Sequence, residues 1–315
     1  MIFRNFTEIF YEMNFLKIAS LVICVFILSC KKPEGHLIPN SETTAKEIPS
    51  KDKKRTLSED FKTYWYNGTA EITSYKLSQE RYGEQRSGTA VNIFVTEDFL
   101  LKEQVKANSP SEENIPVLKL NQTKNYVTGI YPYSVMTSTF TPTNTKNNAI
   151  KISHSIQEWC GQVYVQLNNR DDFRIQSHSY FEGEADQEFS IDKTWLESDV
   201  WNYIRMNPSA LPMGDFKMIP SFEYFRMSHK KVAAHQVSAS VTVGDSISNY
   251  EITYPSLKRK LKIYFSSTFP YTIERWEETH ANGLITSAEK MKRIKTAYWS
   301  QNSTKFETLR DTLGL

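Results

Sequence analysis

Cysteine is nearly absent from this chain, with three in 315 residues. Cys24 and Cys30 lie within and at the end of an apolar segment near the N-terminus, so Cys160 alone serves the remainder and a disulfide framework is excluded there. An unpaired cysteine is ordinarily a small buried hydrophobe, and that is the expectation for Cys160. Glycine is scarce at 11 residues, which disfavours backbone cradles for phosphate. No phosphate loop, Gly-x-Gly-x-x-Gly, Gly-x-Ser-x-Gly elbow or pair of Cys-x-x-Cys motifs occurs. Long apolar runs are also missing: the longest, 18–29, falls short of the ~20 residues needed to cross a bilayer. Charge of one sign is not in excess, since 38 basic against 36 acidic residues leave +2. That balance excludes the electrostatic footprint of a nucleic-acid binder. The one dense basic cluster, Lys258-Arg259-Lys260, is expected in a solvated turn.

The apolar segment is the most specific feature present. Lys17 precedes it, Ile27-Leu28-Ser29-Cys30 ends it, and Lys31-Lys32 follows at once. A run of about 7–15 apolar residues behind a basic residue and before a small one has the form of a cleaved export signal. The cysteine directly after Ser29 makes it resemble a bacterial lipoprotein signal. That resemblance implies diacylglycerol and palmitate on Cys30, which tie the protein to a membrane of the cell envelope, an outer membrane with a periplasmic or surface face. Glu8 and Glu12 suit a positive n-region poorly, so translation is expected to start at Met13. Lys31-Lys32-Pro33-Glu34 partly matches the pattern of surface-exported Bacteroidota lipoproteins. Residues 31–54 are rich in Lys, Glu, Pro, Ser and Thr, and lack the apolar periodicity of a packed core. As a flexible tether, ~25 residues reach roughly 25 to 30 Å. The expected organisation is a signal over 1–29, a lipidated cysteine and tether over 30–56, and one β-rich domain over 57–315.

From residue 57 onward, short runs rich in Thr, Val, Ile, Tyr and Phe alternate with the two-residue period of half-buried strands. Strands are expected over 69–78, 89–96, 115–120, 131–141, 149–157, 162–167 and 173–184. Others are expected over 223–229, 237–243, 250–254, 261–266, 272–278 and 284–298. Asn282-Gly283 is the strongest hairpin signal and predicts a type I′ turn. One segment departs from the pattern: Thr194-Trp195-Leu196-Glu197 fits a capping box, Val200, Trp201 and Ile204 follow at helical spacing, and Pro208 and Pro212 end the helix. The expected fold is mainly β, a strongly curved antiparallel sheet or open barrel with one central helix. Wide aromatic side chains on its concave face either fill the interior or line a cavity, and filling is the expectation.

The best constellation for chemistry lies on the 173–184 run and its extension. In a regular strand His178, Tyr180, Glu182, Glu184 and Asp186 share a face, as a metal site or a carboxylate acid–base pair requires. A solvated strand face has the same pattern, and it is the default reading. No metal motif anchors the row and no cofactor is implied. Cys160 as a nucleophile, with His154 or His178 as base and Glu158 or Asp172 behind it, is a second arrangement on paper. Asp245-Ser246-Ile247 and Asp311-Thr312-Leu313 resemble O-glycosylation sites of exported Bacteroidota proteins.

The chain as a whole resembles a group of Bacteroidota envelope lipoproteins. The likeness is carried by Tyr64-Trp65-Tyr66-Asn67-Gly68, Ala90-Val91-Asn92-Ile93-Phe94-Val95-Thr96-Glu97, Gln157-Glu158-Trp159-Cys160-Gly161 and Ser179-Tyr180-Phe181-Glu182-Gly183-Glu184. Relatives are sometimes labelled septum-formation inhibitor of the Maf type. That activity needs a Ser-x-Ser-Pro-Arg-like phosphate motif, which this chain lacks. Residues 261–278 resemble the curved sheets of bacterial lipoprotein-localisation factors at the level of pattern. The aromatic strands and the membrane tether lead to the expectation of an envelope-anchored, noncatalytic β scaffold that holds a hydrophobic or envelope ligand. The alternative is a metal- or carboxylate-dependent envelope hydrolase using the His178 to Asp186 row.

Overall fold

The computed structural model describes residues 54–315. The apolar segment, Cys30 and the tether through residue 53 lie outside the described residues. Ordered pairing begins slightly before the expected boundary: Lys54 bridges Thr145, and the Arg55 N–H donates to Asn144 O at 2.8 Å. A short helix, α1 (Glu59–Trp65), then buries Phe61 and Trp65, with the Ser58 hydroxyl accepting from the Phe61 N–H as its N-cap.

The first group of strands is a meander of β1 (Ala70–Arg81), β2 (Glu84–Leu100), the short β3 (Val105–Lys106), β4 (Ile115–Thr128), β5 (Tyr131–Pro142), β6 (Lys151–Glu158), β7 (Gly161–Asn169), β8 (Phe173–Ser179) and β9 (Gln187–Ile191). After β10 (Trp195–Leu196) come the central helix α2 (Glu197–Met206), β11 (Gly214–Ile219) and α3 (Phe222–Ser228). The second meander is β12 (His235–Thr242), β13 (Ile247–Tyr254), β14 (Arg259–Ser266), β15 (Ile273–Thr279) and β16 (Ile285–Thr296), closed by α4 (Thr308–Leu313). All form one sheet in the order β10-β11-β12-β13-β14-β15-β16-β1-β2-β4-β5-β6-β7-β8-β9, with β3 beside β2. Among the described residues only β10 and β11 pair in parallel. The halves join where β16 lies against β1, from Ala70↔Thr296 to Ser78↔Ser287.

Connectivity requires this sheet to curl. Its fifteen-strand path would be roughly 70 Å wide if flat. The edge strands β9 and β10, however, are linked only by Asp192, Lys193 and Thr194, which span at most about 14 Å. Thr194 stands in the gap: its carbonyl accepts from Asn148 Nδ2 (2.8 Å) and its hydroxyl donates to Lys217 O (2.6 Å). No ladder joins the two edges, so the sheet is curved and open.

The interior is filled. Along β5, Tyr133, Val135, Thr137 and Thr139 point inward and are buried while Ser134 and Met136 face out. Helix α2 occupies the lumen with all ten residues buried. Trp201 meets Trp276 edge-on at 5.3 Å, and Trp276 meets Tyr75 at 4.7 Å. A cavity of ≈ 40 Å³ remains between α2, Lys124, Arg259 and Glu278. A water needs about 10–15 Å³ of such volume, so this space suits a few waters.

Four polar residues of α2 are met by the wall around it. Glu197 holds Arg259 of β14 at 2.5 and 2.8 Å, and Arg205 grips Glu71 of β1 at 2.5 and 2.8 Å. Asn202 Nδ2 donates to Leu118 O and Thr141 Oγ1. Asp199 accepts from the Thr141 hydroxyl and the Ala149 N–H, both at 2.6 Å. Hydrogen bonds offset the cost of burying these groups, and the contacts fix the helix's rotation and height in the lumen.

Several local expectations are corrected. Residues 223–229, expected as a strand, belong to α3. The Ser221 hydroxyl caps its N-terminus, and His229 ends it in the left-handed region at φ 52°. The 173–184 strand stops at Ser179. Helix α2 forms as expected but begins at Glu197, and Thr194 does not cap it because its hydroxyl bonds to Lys217 instead. At Asn282-Gly283 only the glycine takes positive φ, at 83°, within a three-residue turn closed by His280 N–H to Leu284 O. The type I′ conformation is found at Tyr82-Gly83, with φ of 58° and 77°. In the 258–260 triplet Lys258 is a solvated turn residue, but Arg259 is buried at the centre of the ion-pair network.

Candidate functional site

The antiparallel order places the β1–β2, β4–β5, β6–β7 and β8–β9 turns on one rim of the sheet. The first three are two-residue turns. All four turns carry an exposed large hydrophobic side chain: Ile130 is 82% exposed, Trp159 68%, Tyr180 66% and Tyr82 59%. Val127, one turn below Ile130, is also exposed. A single exposed hydrophobe needs no explanation, whereas one on each of four neighbouring hairpin tips sets this rim apart from the rest of the surface.

A groove of ≈ 570 Å³ opens on the outer face beneath these tips. Its floor is a row in register across three strands, Asn125↔Ser134 and Ser134↔Gln157. Its rim side is formed by Val127, Pro132 and Trp159. Tyr131 supports the Trp159 ring from 6.5 Å at a 30° tilt. Tyr180 lies directly over Gly161, where a Cβ would come within 2.5 Å of the ring. The glycine thus allows the ring to lie flat on the β6–β7 hairpin.

Inside the same rim, α3 and the β8–β9 turn close the lumen. Arg81 Nη1 donates to Met227 O at 3.1 Å, and its guanidinium stacks on Tyr82 at 4.1 Å. Arg226 lies 3.9 Å over the Phe181 ring, and His229 Nδ1 meets Glu184 Oε1 at 2.6 Å. The nearest carboxylate oxygen to Arg226 is on Glu158 at 3.9 Å, beyond hydrogen-bonding reach, and burial pushes the Arg226 pKa down. Tyr82 and Tyr133 share a hydroxyl contact at 2.8 Å, which ties the first hairpin tip to this plug.

The His178 to Asp186 row does not share a face. Its strand ends at Ser179, and the chain turns through Gly183 (φ 80°) and Ala185 (φ 43°) so that Phe181 packs against the core. His178 stays on the outer face and pairs with Asp186 at 3.1 Å, both exposed. Tyr180 covers Gly161, Glu182 is exposed, and Glu184 turns back to Ser179 Oγ and His229. Among the described residues no group of three His, Cys, Asp or Glu is arranged to hold a metal.

Cys160 is exposed at the β6–β7 tip, against the expectation of burial. A two-residue turn leaves its second position outside the sheet. The Glu158 carboxylate accepts the Cys160 N–H at 2.7 Å and raises the thiol pKa by hydrogen bonding and charge. The thiolate is the nucleophile, so this exposed thiol is a poor one. Of the two bases considered, His154 is buried and hydrogen-bonded to Thr137 at 2.9 Å, and His178 is paired with Asp186. Alkylation of Cys160 by iodoacetamide at pH 7.5 is expected to run slower than that of a free cysteine and to accelerate several-fold in Glu158→Gln. Equal rates would show that Glu158 does not hold the proton.

Sequence reasoning missed the buried network of Glu71, Arg205, Glu197, Arg259 and Glu278. Its members stand on strands and a helix far apart in the chain, and an isolated charge in an alternating run reads as solvated. Ser246 and Thr312, the residues of the two glycosylation-like sequences, are both exposed. No described helix is long and apolar enough to cross a membrane. Comparison with family models, curated proteins and solved structures finds no match for the chain.

Proposed function

We propose that this chain is an envelope-anchored lipoprotein, tethered through Cys30, whose folded domain is a noncatalytic β scaffold that holds a hydrophobic or envelope ligand at its hairpin rim. The groove beneath Trp159 is the observation that carries the reading: it offers ≈ 570 Å³ with an apolar rim side above an amide and hydroxyl floor. Such a mixture suits an amphipathic ligand, with apolar surface for affinity and a few polar groups for orientation. The lumen is a weaker alternative because α2 and the aromatic side chains fill it. The hydrolase reading is weakened by the divergence of the His178 to Asp186 row and by the buried, hydrogen-bonded state of His154.

Native mass spectrometry of the full protein, extracted from the envelope of its own host, tests this reading. The expected result is a chain that starts at an acylated Cys30 and retains a lipid-sized adduct, with adduct occupancy reduced several-fold in Trp159→Ala. An unacylated chain would refute the anchor, and an empty wild-type protein would refute the ligand.

A further inference from the structure

Tyr82, Ile130, Trp159 and Tyr180 stand on the tips of four separate hairpins of the same sheet rim. Each is held by structure beneath it. Tyr82 is fixed by Arg81 and Tyr133, Trp159 by Tyr131, and Tyr180 by Gly161. Ile130 occupies a turn whose partner residue, Gly129, takes φ 59°. We propose that this rim docks onto the interfacial layer of a lipid bilayer, with the four side chains entering the headgroup region.

The residue types favour that occupant. Tyr and Trp combine an apolar ring with a polar edge and concentrate where hydrocarbon meets water. A protein partner of ordinary affinity is met by a continuous flat patch with a buried centre. Here the apolar groups are separate projections flanking a groove. Charge at the same end fits lipid phosphate: Lys230, Lys231 and Lys258 are exposed and form no ion pair among the described residues. The acidic residues of the β8–β9 turn are Glu182, which is exposed, Asp186, which pairs with His178, and Glu184, which pairs with His229. Anionic lipids thus meet cations on the α3 side of the rim. The surface shares Trp159 and Val127 with the groove and rests on the rim being the binding end, but an empty groove would leave docking by Tyr82, Ile130 and Tyr180 intact.

Cys160, beside Trp159, provides a reporter at the tip. The full chain carrying Cys24→Ser and Cys30→Ser is labelled there with an environment-sensitive nitrobenzoxadiazole dye and reconstituted into phosphatidylethanolamine–phosphatidylglycerol vesicles. A control label at residue 299 is introduced by Trp299→Cys in a Cys160→Ser background. Trp299 is exposed and follows the end of β16 that points away from the rim. The tip label is expected to gain several-fold in emission, and to be quenched at least twofold more than the control by lipids spin-labelled near the headgroup. Ile130→Asp with Tyr82→Asp should abolish the difference. A tip label that responds like the control, both as in water, overturns bilayer docking even where a ligand co-purifies in the groove. A response of the tip label that survives the double aspartate variant overturns it as well. Vesicle docking by a protein that carries no co-purified ligand would support docking and sink only the groove reading.

Discussion

Replacing Arg259 with alanine is expected to destabilise the fold by about 3–5 kcal/mol, the range for removing one partner of a buried ion pair. Arg259 bridges two carboxylates, that of the buried Glu197 and that of the half-buried Glu278. Its Nη1 and Nη2 donate to Glu197 at 2.5 and 2.8 Å, and its Nε donates to Glu278 at 2.5 Å. The Tyr254 hydroxyl completes Glu197 at 2.7 Å, and the Tyr224 ring lies 4.8 Å from the guanidinium. Burial alone would lower the Arg259 pKa, yet the two carboxylates hold it well above the ordinary value. Burial likewise would raise Glu278, but Arg259 brings it down to about 2. Without the guanidinium both carboxylates are left in the lumen. Because Glu197 is the first residue of α2, the helix also loses the ion pair that ties its N-terminus to the second meander. Urea unfolding at pH 7 measures the loss. Arg259→Lys should recover part of it, since an ammonium can face one carboxylate but lacks the fork that engages two. A loss below about 1 kcal/mol for the alanine variant would mean that the pair does not organise the interior.

The second large effect is a cancellation between two buried groups in acid. His154 is held neutral, chiefly by burial and further by the Lys124 and Arg226 charges, with a pKa lowered from 6.5 to about 3. Below pH 6.5 the unfolded chain takes up a proton there that the folded protein refuses, so stability falls as pH falls, by up to about 1.4 kcal/mol per unit. Asp199 acts in the opposite sense. Burial raises its pKa from 3.8 to about 6 despite the hydrogen bonds from Thr141 and Ala149. Below pH 6 the folded protein takes up a proton that the unfolded chain does not bind until pH 3.8, and stability rises as pH falls.

The two slopes oppose each other between about pH 6 and 4.5, and the wild-type protein should show a plateau there. Below pH 4.5 Glu71 and Glu278 take over. Both are lowered from 4.5 to about 2, because their arginine partners outweigh burial, so their contribution is lost as pH falls through that window. Asp199→Asn should expose the His154 slope and lose about 2 kcal/mol from pH 6 to 4.5, whereas His154→Gln should gain a similar amount. Urea midpoints at pH 7, 6, 5 and 4.5 read these slopes. An unchanged plateau in Asp199→Asn would show that Asp199 is not the compensating group.

The β character was legible because strand alternation is written within a few residues. Thr137 and Thr139 in β5, or Tyr250 and Ile252 in β13, occupy inward positions that period two alone identifies. Helix α2 was legible for a similar local reason, its apolar spacing and the proline at 208. Helix α3 was not. Phe222, Tyr224 and Phe225 are strong strand formers, and what selects the helix is the Ser221 cap and burial of those rings against the sheet. The candidate row from His178 to Asp186 failed where Gly183 and Ala185 admit positive φ and Phe181 is drawn inward. The rim itself left only weak signals, a Trp, an Ile and two Tyr residues beside turn positions, with nothing to show that the turns face the same way.

The sequence by itself determined the class of the fold, its hairpin neighbours, the central helix and the scarcity of thiols available for cross-linking. These depend on turn chemistry and side-chain period over spans of a few residues. Only the tertiary structure decided that β16 pairs with β1, where Ala70 meets Thr296, and that the sheet curls until three residues bridge its edges. It also decided which charges are interior, since Arg205 finds Glu71 and Arg259 finds Glu197 only after the sheet has wrapped around α2. Long-range pairing has no local code, because its energy comes from burial shared by segments that meet once the chain has folded.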